Sequence, residues 1–358
     1  MKNTKLCFVI PSLVKGGMER VMCILANFAS ESGYEVHIVC LAKSTIEYEL
    51  NPAVNVHFPT QPYKKNIFAK WSLLLYLMSK LRTVKPLSVL SFGEGFNSFA
   101  ILAAKLCGLN IFISDRSSPL AKTPFPHDLL RQLIYPFANG LIAQTQVARS
   151  HFLKKKYNKN IVAIPNPLKE LVNDQNSSEL KKAIVTVGRL IPSKNHEELI
   201  RVFHKINNPA WKLIIVGNGP LYNDLTLLIE KLQLRDRVII TGVAEDVDVW
   251  LRRADIFAYT SLLEGFPNAL SEAVAFPLPA ISYDCVAGPS EIITNNVSGL
   301  LIPVGNFEEY VNGLELLMTD SALRDRFSVM GRNNRDLFSV ETVGSKYLAF
   351  ISGGENIE

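Results

Sequence analysis

Short apolar runs alternate along the chain with longer segments whose apolar residues recur at helical spacing. In the first half, the runs predict seven strands, at residues 6–10, 35–41, 54–58, 87–91, 111–114, 141–143 and 161–164. In the second half, they predict six, at residues 183–187, 212–216, 238–241, 256–259, 280–283 and 299–302. Helical spacing lies between most of these strands, for example at residues 17–28, 69–82 and 269–276.

The predicted strands are apolar almost throughout, which is typical of parallel sheets covered by helices on both faces. We therefore expect an α/β protein with two doubly wound, Rossmann-like domains facing across a cleft. The first domain is predicted at residues 1–167 and the second at residues 183–339. The polar and charged stretch 168–182 is the predicted linker.

Composition narrows the class of protein. Of the 358 residues, 48% are apolar, which is enough for two large cores. No apolar run approaches the ~20 residues that span a membrane. The five cysteines are scattered without a Cys-x-x-Cys, which is typical of reduced thiols in a cytoplasmic protein. Residues 1–166 hold 20 Lys and Arg against 8 Asp and Glu, so this half is expected to meet something anionic.

The stretch from Ser261 to Glu272 joins a predicted strand to a predicted helix. Open α/β sheets bind ligands at this edge, and the first amides of such a helix suit a phosphate. Gly265 lets the backbone approach a ligand closely. Glu264 in the turn can meet a sugar, while Glu272 inside the helix can bond hydroxyl groups further along. The alternative is an ordinary strand-turn-helix with two solvated glutamates.

This spacing, with Glu-Gly-Phe-Pro at its head, resembles the Glu-x7-Glu motif of the retaining glycosyltransferases of family 4, which have the GT-B fold. The resemblance extends over nearly the whole chain. It implies that the turn and the helix start bind the sugar-nucleotide donor, through Glu264, Gly265, Phe266, Asn268, Ala269 and Glu272. It also implies that the C-terminal helix, at about 340–358, returns to the first domain.

Two cations follow the first strand of the second half, in Gly188-Arg189 and Lys194-Asn195. A planar guanidinium and a mobile ammonium five residues apart, after a strand-end glycine, can clamp a diphosphate. For a generic pair, solvated side chains are the alternative. In family 4 the pattern is a specific signature, and the resemblance implies that Gly188, Arg189 and Lys194 bind the donor diphosphate and that the two cations stabilise the leaving group.

Three further turns resemble family elements less specifically. Gly16 and Gly17 match a loop that touches the donor diphosphate and the acceptor. Gly217 and Gly219 suit close packing or nucleotide approach, and they match a turn that lines the nucleotide pocket. Val243 lies where family members contact the base through backbone groups. A plain turn is the alternative for each.

Asp115-Arg116 occupies the place where many family members carry Glu-His or Glu-Arg beside the reacting centre. No histidine is present here, so roles known for the histidine-bearing members do not carry over. Asp115 is expected either to act in catalysis, by orienting the acceptor hydroxyl or stabilising charge on the sugar, or to form an Asp–Arg ion pair that fixes a loop.

The stretch 63–85 begins at Tyr63, ends at Lys85 and has cations at both ends. Its predicted helical face comprises Trp71, Leu74, Leu75 and Met78. A basic amphipathic helix with aromatic residues can lie on an anionic membrane surface. A core-packed helix with solvated lysines is the alternative. Family members that act on lipid-linked acceptors use such surfaces.

These patterns, with the resemblance, predict a retaining transferase of hexosyl or N-acetylhexosaminyl groups. The expected donor is a nucleotide sugar with UDP as its nucleotide, and the expected acceptor is a saccharide or a polyprenyl-diphosphate-linked saccharide. Because the six histidines show no metal-ligand spacing and no Asp-x-Asp is expected to mark a metal-bound diphosphate, transfer without a metal is predicted. No cofactor and no nucleic-acid partner are expected, and the expected location is the cytoplasm, at the inner face of the cytoplasmic membrane.

Two alternatives belong to other functional classes. A sugar-nucleotide epimerase of the same fold would need acid and base carboxylates and a histidine near the sugar carbons, which the sequence does not identify. A saccharide-binding protein without turnover would have no need of Arg189, Lys194 and both glutamates.

Overall fold

The computed structural model describes residues 4–14, 16–60, 67–121, 127–168, 182–244, 246–332 and 335–353. The chain forms two compact units. Unit 1 comprises Met1–Lys169 and Phe338–Glu358, and unit 2 comprises Glu170–Leu337. Most of the predicted linker, residues 169–181, lies outside the described residues.

The described residues contain thirteen β-strands, and every pairing between them is parallel. In chain order they are β1 Lys5–Ile10, β2 Glu35–Cys40, β3 Asn55–His57, β4 Ser88–Phe92, β5 Asn110–Asp115, β6 Gly140–Ala143, β7 Ile161–Ala163, β8 Ala183–Val187, β9 Lys212–Val216, β10 Val238–Gly242, β11 Ile256–Tyr259, β12 Ala280–Tyr283 and β13 Leu300–Ile302.

Thirteen α-helices lie in the same described segments. They are α1 Gly17–Glu31, α2 Ile67–Val84, α3 Glu94–Leu106, α4 His127–Ile134, α5 Gln146–Lys154, α6 His196–Ile206, α7 Tyr222–Lys231, α8 Asp248–Arg253, α9 Asn268–Ala275, α10 Pro289–Ile292, α11 Phe307–Thr319, α12 Ser321–Arg332 and α13 Val340–Ile351. Short 3-10 turns lie at Tyr135–Phe137, Pro192–Lys194 and Asp336–Phe338.

The two sheets have the topology of doubly wound domains. Unit 1 has the strand order β3-β2-β1-β4-β5-β6-β7, and unit 2 has the order β10-β9-β8-β11-β12-β13. The direction of the strand order therefore reverses between β1 and β4 in the first sheet, and between β8 and β11 in the second. The predicted α/β class with two doubly wound units is confirmed.

The first strand shows why these strands are apolar throughout. Cys7 and Val9 of β1 pack in a core with α2 and α3, whereas Leu6, Phe8 and Ile10 pack in a second core with α1 and α13. Side chains alternate between the faces of a strand, so a sheet covered on both sides needs apolar residues at consecutive positions. Unit 2 likewise buries strands and helices in a large core, around Trp211 and Tyr283.

The last helix packs within unit 1. Ser339 caps α13, because its hydroxyl accepts a hydrogen bond from the Thr342 N–H at 3.1 Å. Gly344 lies against the ring of Phe28 in α1, and a β-carbon at that position would collide with the ring. A glycine thus sets the close approach of α13 to α1. Residues 354–358 of the predicted helix lie outside the described part of the chain.

Candidate active site

The loops that follow β8 and β11 meet at the carboxyl edge of the unit 2 sheet. Leu262 donates its backbone N–H to the carbonyl of Ser193 at 2.8 Å. The Thr260 hydroxyl donates to the carbonyl of Asn195 at 3.0 Å. Because β8 and β11 flank the point where the strand order reverses, these loops lie where open α/β sheets bind ligands.

Lys194 and Glu264 lie side by side at this point. Lys194 Nζ donates to Glu264 Oε1 at 2.5 Å, and the hydroxyls of Tyr259 and Ser261 donate to the same oxygen, each at 2.5 Å. Lys194 Nζ also donates to Tyr259 Oη at 2.9 Å. Three donors on one oxygen fix the carboxylate, and its other oxygen can accept a hydrogen bond from a ligand.

The pair is largely removed from water. Glu264 is 8% exposed, and the Lys194 side chain is 19% exposed. Burial, and then the charge of Glu264, raises the pKa of Tyr259 well above its usual range, so the phenol keeps its proton and acts as a donor. Burial, and then Glu264, also raises the pKa of Cys285 to about 12, so this cysteine is a thiol and not a thiolate nucleophile.

Arg189, the second cation of the predicted diphosphate clamp, differs from Lys194 in its surroundings. The Arg189 side chain is exposed, and no carboxylate among the described residues pairs with it. A guanidinium without a protein counter-charge at this edge can bind a phosphate through two hydrogen bonds. Val243, which follows β10, is 65% exposed and therefore accessible. Donor binding by either residue stays a prediction.

His196 begins α6 immediately after Lys194-Asn195. It is 4% exposed, and neither ring nitrogen has a hydrogen-bond partner among the described residues. Burial, and then the charge of Lys194, lowers its pKa to about 4, while the backbone groups of Arg189 and Gly188 act in the opposite direction, so the ring is neutral at pH 7. A β-carbon on Gly188 would lie 3.6 Å from His196 Nε2, so the ring lies directly against the Gly188-Arg189 turn.

The turn Gly217-Asn218-Gly219 packs against the loop after β8. Leu190 donates its N–H to the carbonyl of Asn218 at 3.0 Å. A β-carbon at Gly219 would lie 2.6 Å from the Leu190 carbonyl oxygen, and one at Gly217 would collide with the backbone of Gly188. The two glycines therefore serve close packing between loops, which is one of the two roles that the sequence left open.

The helix of the Glu-x7-Glu motif begins at Asn268, and its N-cap residue, Pro267, forms no side-chain cap. Gly265, Asn268 and Ala269 are partly exposed, whereas Phe266 is buried. Glu272 is 7% exposed, within α9. Because neither glutamate of the motif is at the surface, the alternative of two solvated glutamates is wrong.

In unit 1, the Gly16-Gly17 turn follows β1 and leads into α1. The Tyr48 hydroxyl accepts from the Gly16 N–H at 2.9 Å and donates to the Gly16 carbonyl at 2.8 Å. A β-carbon at Gly16 would collide with the carboxylate of Glu19, whose pKa is raised by burial. Gly93 after β4 packs against the same turn, so the loops at this switch point also meet. Lys15 lies outside the described residues.

The carboxylate of Asp115 is fully buried at the end of β5. It forms an ion pair with Arg131 of α4 and accepts from Ser117 Oγ at 2.7 Å and from Tyr135 Oη at 3.1 Å. This saturation supports the ion-pair alternative, with Arg131 and not Arg116 as the partner. A direct catalytic role of Asp115 stays a prediction.

Arg116 lies over the ring of Phe92, 4.5 Å from its centroid, and donates to Asn166 Oδ1. Burial lowers the pKa of Arg116, while Tyr347, Glu19 and Glu94 act in the opposite direction.

Comparison with known proteins identifies the family. Residues 15–169 match the family described as Glycosyltransferase Family 4, and residues 169–334 match the family described as Glycosyl transferases group 1. The chain belongs to the group 1 glycosyltransferases. This glycosyltransferase is 27% identical, over 98% of its length and 100% of the relative's, to the N-acetylgalactosamine-N,N'-diacetylbacillosaminyl-diphospho-undecaprenol 4-alpha-N-acetylgalactosaminyltransferase of Campylobacter jejuni.

Solved structures confirm the predicted GT-B fold. A glycosyltransferase from Rickettsia africae matches with a TM-score of 0.84, at 18% identity over 99% of both chains. The Anabaena protein HepE, solved with UDP and glucose, matches with a TM-score of 0.81, at 17% identity over 98% of this chain and 100% of that one.

The sequence of this glycosyltransferase contains one Asp-x-Asp, Asp246-Val247-Asp248, so the expectation that no such motif is present is wrong. Asp246 Oδ1 accepts from the backbone N–H of Asp248 at 3.0 Å, and Asp248 starts α8. The pair thus forms a local turn at a helix start. Within the described segments, no cluster of three His, Cys, Asp or Glu residues could hold a metal ion.

The predicted membrane stretch is described from residue 67 onward, and residues 63–66 lie outside the described part. The predicted face with its four apolar residues is divided between the core and the surface. Leu74 and Met78 are buried in the core, whereas Trp71 and Leu75 are 62% and 63% exposed. Residues four apart share a helix face, so α2 has an inner and an outer apolar pair. No described helix of this glycosyltransferase is long and apolar enough to span a bilayer.

Three residues of the site, Tyr259, Ser261 and His196, were not predicted from the sequence. The position of Tyr259 could have indicated it, because a side chain at the end of a strand just before the motif reaches the same sheet edge. A histidine directly after Lys194-Asn195 was a signal for the third. Ser261 offered no signal, since its contact with Glu264 depends on the conformation of the turn.

Proposed function

We propose that this group 1 glycosyltransferase moves a hexosyl or N-acetylhexosaminyl group from a UDP-sugar to a polyprenyl-diphosphate-linked saccharide, with retention at the anomeric carbon. The observation that carries the proposal is the Lys194–Glu264 pair at the switch point of unit 2, with the exposed Arg189 in the same loop. The cations suit the diphosphate end of a sugar nucleotide, and the fixed carboxylate at the same sheet edge suits the hydroxyl groups of its sugar.

In this proposal the donor diphosphate binds at the loop after β8 and the start of α9. Arg189 supplies a planar pair of donors, and Lys194 supplies a point charge. The first amides of α9 add partial positive charge. Glu264 then faces the sugar through the carboxylate oxygen that Lys194 does not occupy, and Glu272 serves the ribose.

The chemistry follows from this placement. The bond between the sugar C1 and the phosphate oxygen breaks, and a bond between C1 and the acceptor oxygen forms on the same face. The acceptor proton passes to an oxygen of the leaving phosphate, and UDP leaves. Arg189 and Lys194 stabilise the negative charge that develops on the diphosphate, so the proposed transfer needs no metal.

The lipid-linked acceptor is supported by two observations. The relative in Campylobacter jejuni is named for an acceptor on diphospho-undecaprenol. In unit 1, the neighbouring helices α2, α3 and α4 carry exposed apolar side chains, namely Trp71, Leu75, Leu102, Leu106, Leu129 and Leu133. Exposed apolar residues on a basic domain suit the surface of an anionic bilayer. The proposed location is therefore the inner face of the cytoplasmic membrane.

Three measurements test the proposal. UDP and a panel of UDP- and GDP-sugars are screened by thermal unfolding, where a ligand at 100 times its Kd adds about 2.7 kcal/mol. NMR of the product formed on a synthetic polyprenyl-diphosphate saccharide gives the anomeric configuration. Sedimentation with phosphatidylglycerol vesicles compares Trp71→Ser with the native protein. If no UDP compound stabilised the protein, the proposed donor would be wrong. An inverted anomeric configuration in the product would contradict retention. If Trp71→Ser sedimented like the native protein, the proposed membrane surface would be wrong.

A further inference from the structure

A cavity of about 570 Å³ lies at the amino edge of the unit 1 sheet. Leu87, Asn110, Asn139 and Asn160 line it, and each of these residues precedes or begins one of the strands β4 to β7. Asp115 is at the other end of β5, about 16 Å from Asn110 at 3.3 Å per residue. The cavity is therefore remote from the carboxyl edge that holds the Gly16-Gly17 turn.

Two cations line this cavity. Arg149 donates its Nε–H to the carbonyl of Ile161 at 2.9 Å, which fixes the guanidinium and leaves its terminal nitrogens as donors. Lys159 is exposed at the rim. The described lining contains no Asp or Glu, and neither cation pairs with a carboxylate of the described residues.

The asparagine side chains of the lining are uncharged and supply hydrogen-bond donors. Asn139 Oδ1 already accepts from Lys105 Nζ at 2.8 Å and from the Ile111 N–H at 2.9 Å. Asn110 Oδ1 accepts from Asn139 Nδ2 at 3.1 Å, which leaves the Asn110 amide N–H groups as donors. Among these polar side chains, donors and positive charge thus predominate, which is the chemistry that binds phosphate oxygens.

An aromatic wall closes one side. Phe112 of β5 and Phe350 of α13 are in edge contact with ring centroids 5.2 Å apart, and both line the cavity. A charged rim with an apolar wall suits a ligand that carries a phosphate beside a carbon skeleton. Inorganic anions alone would leave this wall unused.

We propose that the cavity is a second ligand site, separate from the donor site, that binds the phosphate group of an organic phosphate. Arg149 and Lys159 hold the phosphate, and Phe112 and Phe350 contact the carbon skeleton. A soluble sugar phosphate and the headgroup of a phospholipid share this chemistry, so the experiment must distinguish them.

Calorimetric titration with glycerol 3-phosphate tests the soluble source, using the full chain and the variants Lys159→Ala and Arg149→Lys. Lys154→Ala, in the same helix as Arg149 but outside the cavity lining, is the control for the loss of one positive charge. Binding at the donor site contributes equally to all of these proteins. We expect Lys159→Ala to weaken one binding event about tenfold, the effect of losing one charge-assisted contact, and Lys154→Ala to leave it unchanged.

Sedimentation of the same proteins with phosphatidylglycerol and with phosphatidylcholine vesicles tests the lipid source. A tenfold loss of affinity in Lys159→Ala, for glycerol 3-phosphate or for phosphatidylglycerol vesicles, supports the site and identifies which of the two ligands it binds. Equal behaviour of Lys159→Ala and Lys154→Ala in both assays would overturn the proposal, because the cavity would then bind no phosphate in preference to the surrounding surface.

Discussion

The ammonium of Lys194 lies 2.5 Å from the carboxylate of Glu264, a residue 70 positions later in the chain. The two residues belong to the loops after β8 and β11, which are neighbours only because the strand order reverses between them. The sequence assigned the cation to the diphosphate and the carboxylate to the sugar. Their direct contact adds a structural role to both, since each gives the other a counter-charge in a buried place.

The first prediction separates these roles. Lys194→Ala leaves the buried Glu264 without its cation, so we expect a loss of about 3–5 kcal/mol in the free energy of unfolding. Affinity for UDP should fall by about 1.5–3 kcal/mol, the range for hydrogen bonds to charged groups. The measurements are denaturant unfolding and calorimetry with UDP.

The matched control is the double variant Lys194→Ala/Glu264→Gln, which removes both charges. Stability should recover in part, whereas UDP affinity should stay low. Unchanged UDP affinity in both variants would show that Lys194 acts only as the partner of Glu264.

The second prediction concerns the two glutamates. Glu264→Gln should chiefly lower kcat, because contacts with the sugar position the reacting carbon and strengthen as charge develops. Glu272→Gln should chiefly weaken binding of UDP and of the donor, because contacts with the ribose change little during the reaction. Steady-state kinetics and calorimetry measure both effects. The opposite pattern would mean that the donor is bound in the reverse orientation.

The third prediction concerns metal removal. Turnover should survive EDTA, because Arg189 and Lys194 supply the positive charge at the leaving diphosphate. The assay compares initial rates with and without chelator, followed by addition of Mg²⁺ or Mn²⁺. Loss of activity in EDTA with recovery on adding either ion would contradict this prediction and direct attention to Asp246 and Asp248.

The fourth prediction is a pH dependence. The pKa of His196 is about 4 in the folded protein, against about 6.5 for an ordinary histidine. Between pH 6.5 and 4, His196 is therefore protonated in the unfolded chain but neutral in the folded protein. The free energy of unfolding accordingly decreases as pH falls through this window. Between pH 7.5 and 5 the loss is about 2 kcal/mol for this group.

His196→Leu is the test variant, since neither ring nitrogen bonds a side chain of the described residues and an apolar side chain of similar size is tolerated in such a place. Its stability at pH 7.5 should be close to native, and its loss on acidification should be about 2 kcal/mol smaller. Trp211, buried in the unit 2 core, provides the fluorescence signal. Parallel pH profiles for the two proteins would show that His196 does not titrate differently in the folded state.

Local pattern determined the elements of this protein. The strand predicted at residues 6–10 is found as Lys5–Ile10, and the helix predicted at 269–276 is found as Asn268–Ala275. Both elements follow from the spacing of apolar residues within a short stretch of sequence. Strands that are apolar at consecutive positions also imply sheets covered on both faces. The family resemblance and the GT-B fold followed from motifs at strand ends, which need no knowledge of distant contacts.

The tertiary structure alone decided which side chains meet. Asp115 takes Arg131 as its partner and not the adjacent Arg116, which follows β5 and instead lies over the ring of Phe92 and donates to Asn166. Trp71 and Leu74 are neighbours on the surface of α2, about 60° apart around its axis, yet one is exposed and the other buried, because the packing of α2 places the boundary of the core between them. The contact between Lys194 and Glu264 required two loops 70 residues apart to converge, and only the order of strands in the sheet brings them together.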